Sequence, residues 1–269
     1  MKQMGIRDMT FAQLREMDRY YVDKTMLIAD ILRTGDSNVY LFTRPPGFGK
    51  STNLTMLDAF FNMEYTGNTW FEGLRILDHP EFDGYRNAYP VIDLNLKDVQ
   101  AEPYDGFLDG IRSAVLRCYR NHDYLFEQKD VAEELSYISD TLTTRTTPET
   151  PLIESIRLLI SALARYHGRR VMVLVNEYDN AVASTSDRDS RGRMLAFLRD
   201  FLDSALKDTG DVQMACITGM TRIAEESVFS GFNNVCVYDV FSEEFSDRFG
   251  FTETEVKEIL NHFGHPETS

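Results

Sequence analysis

The stretch Val39-Tyr40-Leu41-Phe42-Thr43-Arg44-Pro45-Pro46-Gly47-Phe48-Gly49-Lys50-Ser51-Thr52 decides how the rest of the chain is read. An apolar run of β type enters a loop with two prolines and two glycines, then Lys-Ser, then Asn53–Phe61. That last segment sets Leu54, Leu57, Phe60 and Phe61 on one helical face. Strand, glycine-bearing loop, Lys-Ser and helix is the context in which a G-x-x-x-x-G-K-[ST] match becomes a phosphate cradle. Backbone N–H groups from Gly47 to Ser51 would wrap a β-phosphate, aided by the helix N-terminus. Lys50 would reach the β- and γ-phosphates, and the Ser51 hydroxyl would hold Mg2+. Pro46, Gly47, Phe48, Gly49, Lys50, Ser51 and Thr52 are therefore the expected ATP-binding residues. One position departs from the motif, which asks for glycine where Arg44 stands. Pro45 and Pro46 lack amide donors, but they sit where the loop turns away from the strand.

Outward from this stretch, short apolar runs alternate with longer amphipathic ones, the pattern of a parallel sheet with helical crossovers. Strands are expected at Val39–Phe42, Val91–Leu96, Val171–Val175, Val212–Thr218 and Val235–Val240. Val171-Met172-Val173-Leu174-Val175 is apolar throughout, as a central strand covered on both faces should be. Helices are expected at Asn53–Phe61, Tyr104–Tyr119, Val131–Leu142, Leu152–Tyr166, Arg191–Lys207 and Glu253–Phe263, the last with Thr252 as N-cap. Thr141–Pro151 reads as a surface linker. Together these make a three-layer α/β sandwich around a mainly parallel five-stranded sheet.

A phosphate cradle needs an acidic partner at a neighbouring strand tip. Val171–Val175 ends in Asn176-Glu177-Tyr178-Asp179, which has the shape of a Walker B strand with Asn176 where Asp is expected. Glu177 would be the general base that polarises water, and Asn176 would belong to the Mg2+ shell. An amide keeps an oxygen acceptor and loses the charge. Hydrolysis is then weakened while nucleotide binding persists, or Asp179 supplies the missing charge. The tip of Val212–Thr218 offers Thr218 as a polar sensor, with Thr221 second. Arg222 either touches phosphate or caps its loop. Asp93 either faces the same cleft or is a solvated strand end. This pattern is the one expected of an additional-strand, catalytic-glutamate type of P-loop NTPase.

At 269 residues the chain is long enough for one large domain with a small appendage. Its net charge of −15 argues against a broad nucleic-acid-binding surface. No run approaches the ~20 apolar residues of a membrane span. The polar N-terminus lacks the apolar core of a secretory leader. Cys118, Cys216 and Cys236 show no metal or redox spacing and suit a reducing cytoplasm. His262 and His265 are close in sequence but carry no metal motif.

Beyond these readings, the chain resembles the AAA-ATPase-like family of bacterial proteins, often fused to a C-terminal PD-(D/E)XK nuclease-like domain. The resemblance begins with Gly5-Ile6 and Tyr20-Tyr21-Val22-Asp23-Lys24-Thr25. It runs through Phe42-Thr43-Arg44-Pro45, Phe48-Gly49-Lys50-Ser51, Tyr89-Pro90-Val91-Ile92 and Glu177-Tyr178-Asp179. It ends with Thr218-Gly219-Met220-Thr221, Phe229-Ser230-Gly231-Phe232-Asn233-Asn234 and Phe249-Gly250-Phe251-Thr252. The family pattern has Arg-Pro at 44–45, and it reads Asp-Glu-Tyr-Asp where this chain has Asn176. The resemblance implies an N-terminal segment over 1–35 packing near the nucleotide site, a P-loop ATPase core over 36–245, and the start of a C-terminal helical module over 246–269. Tyr21 or Lys24 would approach the base, or the segment is a structural turn capped by Asp23. The chain stops at Ser269, leaving no room for the nuclease-like domain, so it is either truncated or a short member, and the end soon after Glu253–Phe263 favours the former.

The expected function is an ATP-binding domain that couples Mg-ATP binding and weakened hydrolysis to conformational change. The alternative is a non-hydrolysing nucleotide-binding regulator or scaffold. A protein partner of unknown identity is expected. Nucleic acid would enter only through the missing domain, and phosphate transfer to a small molecule is disfavoured by Glu177.

Overall fold

The structure is a computed structural model that describes residues 2–5, 9–35, 38–144, 148–207, 210–220, 228–229 and 235–264. In chain order the elements are α1 (Phe11–Glu16), α2 (Met26–Thr34), β1 (Val39–Thr43), α3 (Lys50–Phe61), β2 (Val91–Asn95), α4 (Tyr104–Asn121), α5 (Ala132–Thr143), α6 (Glu149–His167), β3 (Val171–Asn176), α7 (Asn180–Ser184), α8 (Arg188–Leu206), β4 (Val212–Gly219), β5 (Val235–Tyr238) and α9 (Glu253–His262). Three 3-10 turns, Met63–Tyr65, Arg75–Asp78 and Pro80–Tyr85, fill the stretch between α3 and β2.

The chain forms two compact units, each discontinuous in sequence. One comprises Asp36–Thr43 and Tyr89–Asp239, the other Met1–Gly35, Arg44–Ala88 and Val240–Ser269. The first is built on a five-stranded sheet of order β2-β3-β4-β1-β5, parallel at every pairing. β1 and β3, far apart in sequence, flank β4, where Phe42 pairs Thr218 and Val175 pairs Ile217. Alternate residues Val39, Leu41, Ile92, Leu94, Val171, Val173, Val175, Ala215 and Ile217 join one buried cluster with α4, α5, α6 and α8. Period-2 alternation of the strands and period-3.6 stripes of the helices meet there. On β1, β3 and β4 the opposite alternation is buried too, and Tyr40, Phe42 and Tyr238 stack on that side. Burial pushes the Cys118 thiol up to about 12 and raises that of Cys216, so both stay protonated and inert.

In the second unit α1 packs against α3. Thr10 and Gln13 form a reciprocal capping box at the start of α1. Thr252 and Glu255 repeat the device at α9, as expected of Thr252. Asp23 Oδ1 accepts from the Thr25 N–H and hydroxyl, while Oδ2 accepts from Arg75 N–H. Lys24 Nζ, 6% exposed as a residue, meets both oxygens of Glu255 at 2.6 and 2.7 Å.

All five strands lie within two residues of the expected bounds. The expected linker Thr141–Pro151 is instead helical at both ends, since α5 reaches Thr143 and α6 begins at Glu149, with Pro151 tolerated in its first turn. Residues 145–147 lie outside the described residues. Among the described residues no helix is long and apolar enough to cross a membrane.

Candidate functional site

The loop after β1 is the part the sequence singled out first. Residues 45–49 are exposed, whereas Arg44 and Lys50 at its ends are buried. Gly47 and Gly49 have φ of 84° and 76°, a left-handed backbone in which an L side chain is strained. No atom lies within 4 Å of a Cβ built on either, so conformation and not crowding requires glycine at both. Left-handed residues are one component of the turns whose backbone amides form anion nests. Among the described residues the Gly47 and Gly49 amides make no hydrogen bond. Lys50 opens α3, and its Nζ donates to the Arg44 carbonyl at 2.9 Å and the Pro45 carbonyl at 3.2 Å. The ammonium is thus held over the loop by the loop's own oxygens. Ser51 and Thr52 follow in the first helical turn, half-buried. Free glycine amides, a helix N-terminus and a lysine on exchangeable carbonyl bonds fit a phosphate chain.

The second set of residues lies at the carboxyl ends of β3 and β4, within the sheet unit. Asn176 ends β3 at 5% exposure. Its Oδ1 accepts from the Thr218 hydroxyl at 3.0 Å, and its Nδ2 points at Asn95 Oδ1 at 3.5 Å. Asn95 Oδ1 also accepts from Lys97 N–H at 3.0 Å, which fixes that amide's orientation. The Thr218 oxygen accepts in turn from the Glu177 N–H at 3.2 Å. One hydroxyl therefore links Asn176, Thr218 and Glu177, and its single hydrogen is directed to Asn176. Glu177 has φ of 54°, which side-chain-bearing residues adopt rarely and at a cost. Among the described residues its half-buried carboxylate makes no hydrogen bond or ion pair. Of the residues expected to hold Mg2+, Ser51 and Asn176 each offer a neutral oxygen. That donor type suits Mg2+ while offsetting none of its charge.

Asp179 is fully buried, and both its oxygens accept from Met220 N–H, at 3.0 and 2.9 Å. It clamps the exit of β4, a role not evident from its position in the sequence. Tyr178 lies beside Gly219, where an added Cβ would come 2.4 Å from the ring. Asp93 has an exposed side chain on edge strand β2, yet the atoms crowded around it raise its carboxyl above the usual carboxylate range, so its surface exposure does not choose between the two alternatives. Thr221 and Arg222 lie outside the described residues. In the other unit Lys24 is taken up by Glu255 and by the Asp247 carbonyl at 2.7 Å, and Tyr21 packs edge-on against Phe11. Asp23 accepts from the Thr25 N–H and hydroxyl in the turn before α2, whose N-cap, Thr25, makes no side-chain cap bond of its own.

An uncharacterized protein in the vnfD 5' region of Azotobacter chroococcum mcd 1 is 30% identical over 262 residues, which cover 96% of this chain and 45% of that protein. The chain thus spans less than half the length of this curated relative. The family described as AAA-ATPase-like, Predicted AAA-ATPase, matches residues 3–229, across the phosphate-type loop, β3 and β4. This chain is a member of the AAA-ATPase-like family.

Proposed function

We propose that the chain binds Mg-ATP through residues 46–52 and turns it over slowly, with occupancy altering the pose of its C-terminal segment. The observation that carries this is the exposed loop with left-handed Gly47 and Gly49 leading into Lys50 and Ser51. Gly47 to Ser51 amides bind the phosphates, Lys50 exchanges the Arg44 and Pro45 carbonyls for phosphate oxygens, and Ser51 holds Mg2+. The ion, when bound, neutralises charge that develops on the phosphate oxygens. Glu177 holds and orients the water, and Thr218 acts as a positioning residue that fixes the Glu177 amide and the Asn176 oxygen. β4 between β1 and β3 supports the additional-strand, catalytic-glutamate type. Family membership supports nucleotide binding and ATPase chemistry as a class.

A second reading, a nucleotide-binding regulator without turnover, is favoured by one observation. Asn176 supplies a neutral oxygen already engaged by Thr218 at the Walker B aspartate position. Calorimetric titration with ATP, with and without Mg2+, tests the first part, with Lys50→Ala as the control. Saturable binding that the control loses supports the cradle, and absence of binding by the parent chain refutes it. Asn176→Asp then separates the readings: a gain in turnover of tenfold or more indicates an ATPase weakened at one atom, and no gain indicates the regulator.

A further inference from the structure

The position at which the loop departs from the usual phosphate-binding pattern is also its most buried. Arg44 is 2% exposed, and its guanidinium carbon lies 5.1 Å from the centre of the Phe249 ring. Its carbonyl is one of the two that receive Lys50 Nζ. The same C-terminal segment grips this region twice more. Gly250 N–H donates to the Phe48 carbonyl at 2.9 Å, and Asn53 Nδ2 donates to the Arg248 carbonyl at 2.8 Å. Gly250 has φ of 70°, and a Cβ there would come 2.8 Å from the Phe48 ring, so the close approach requires glycine. The segment is itself fixed, because Arg248 Nε pairs with Asp30 at 2.6 Å and Lys24 Nζ donates to the Asp247 carbonyl at 2.7 Å.

We propose that Arg44 and Phe249 form an anchor that sets the shape of the loop, which makes Asp247–Gly250 a positioning element of the nucleotide site. A glycine at position 44 would leave the loop's first residue with no side chain to hold it. A planar, permanently charged guanidinium stacks on an aromatic face and fixes the backbone that presents two carbonyls to Lys50. All the nest amides must face one phosphate group together, and a loop already held in that shape loses less freedom when ligand arrives. The anchor's consequence for binding rests on the ATP reading above; its geometry does not.

The test uses the full chain carrying Arg44→Ala, Phe249→Leu, both together, or Phe249→Tyr. Hydrogen exchange is followed without nucleotide at Gly250 and Asn53, whose N–H groups donate to the Phe48 and Gly49 carbonyls of the loop, alongside ATP titration. Each single variant is expected to speed exchange about fivefold, the double variant no more than either single, and Phe249→Tyr to match the parent. ATP affinity should fall by a similar factor in the same non-additive pattern. Unchanged exchange in Phe249→Leu, or additive effects in the double variant, overturns the anchor. If the parent binds no ATP, the proposed function fails, and the exchange pattern alone still decides the anchor.

Discussion

Replacing Asn176 by aspartate probes the tip of the sheet most directly. The amide gives Nδ2 to Asn95 Oδ1 at 3.5 Å and takes the Thr218 hydroxyl at 3.0 Å. A carboxylate keeps the second bond and makes it charge-assisted, but it sets an oxygen against Asn95 Oδ1. Asn95 cannot turn its amide without giving up the Lys97 N–H, which it accepts at 3.0 Å. The 3.5 Å contact is weak, so most of the cost is burial of a charge without an added donor, about 2 kcal/mol in the ligand-free protein. That corresponds to a melting temperature roughly 5 °C lower for a unit of this size. The sign with pH follows from burial. The introduced acid titrates higher in the folded state than in the unfolded one, and its protonated form donates to Asn95. The penalty is therefore absent in acid and grows as pH rises through that interval. Thermal melts of parent and variant from pH 4 to 8, with and without Mg-ATP, measure it. Mg-ATP is expected to remove much of the penalty at pH 8. A variant as stable as the parent at pH 8, with no trend, would refute the locked-amide geometry.

Gly219→Ala places a methyl group 2.4 Å from the buried Tyr178 ring and 3.0 Å from Asp179 Oδ1. Overpacking there, with the Asp179–Met220 clamp strained, should cost about 3 kcal/mol, read as a shift of the urea midpoint. His122, 5% exposed, is held neutral by burial, with its pKa lowered to about 4. The unfolded chain takes up that proton first as pH falls below about 6.5. Stability should therefore drop by about 3 kcal/mol between there and pH 4, and His122→Gln should flatten that slope in pH-dependent melts. Glu255→Ala leaves the buried Lys24 ammonium without its carboxylate and opens the capping box of α9. About 3 kcal/mol of local stability should be lost, seen as faster hydrogen exchange across 253–262 but not across β3.

The sheet was legible in the sequence because its strands are short apolar runs, and α4, α6 and α8 because their stripes are long. The helices α1 and α2 and the 3-10 turns between α3 and β2 were not, since six to nine residues carry too little periodicity to separate from a loop. At the candidate site, the loop could be found because Gly47, Gly49, Lys50 and Ser51 fall within one five-residue stretch. The Asn176–Thr218 link was partly anticipated, as two polar strand tips. What stayed hidden are pairings without local pattern: Asn53 with Arg248, 195 positions on, and Lys24 with Glu255, 231 positions on. The Asp179 clamp was hidden by its neighbours, since a carboxylate beside Glu177 reads as chemistry before it reads as a backbone acceptor.

The left-handed backbone at Glu177 bears on how this protein would respond to selection. Glycine or asparagine would occupy φ of 54° more comfortably, by about 1 kcal/mol. A library screened only for heat resistance should therefore discard the glutamate early. A residue that folding alone would replace is retained by some other demand, and a stability screen run beside an ATP-dependent one would reveal that conflict as opposite preferences at a single codon.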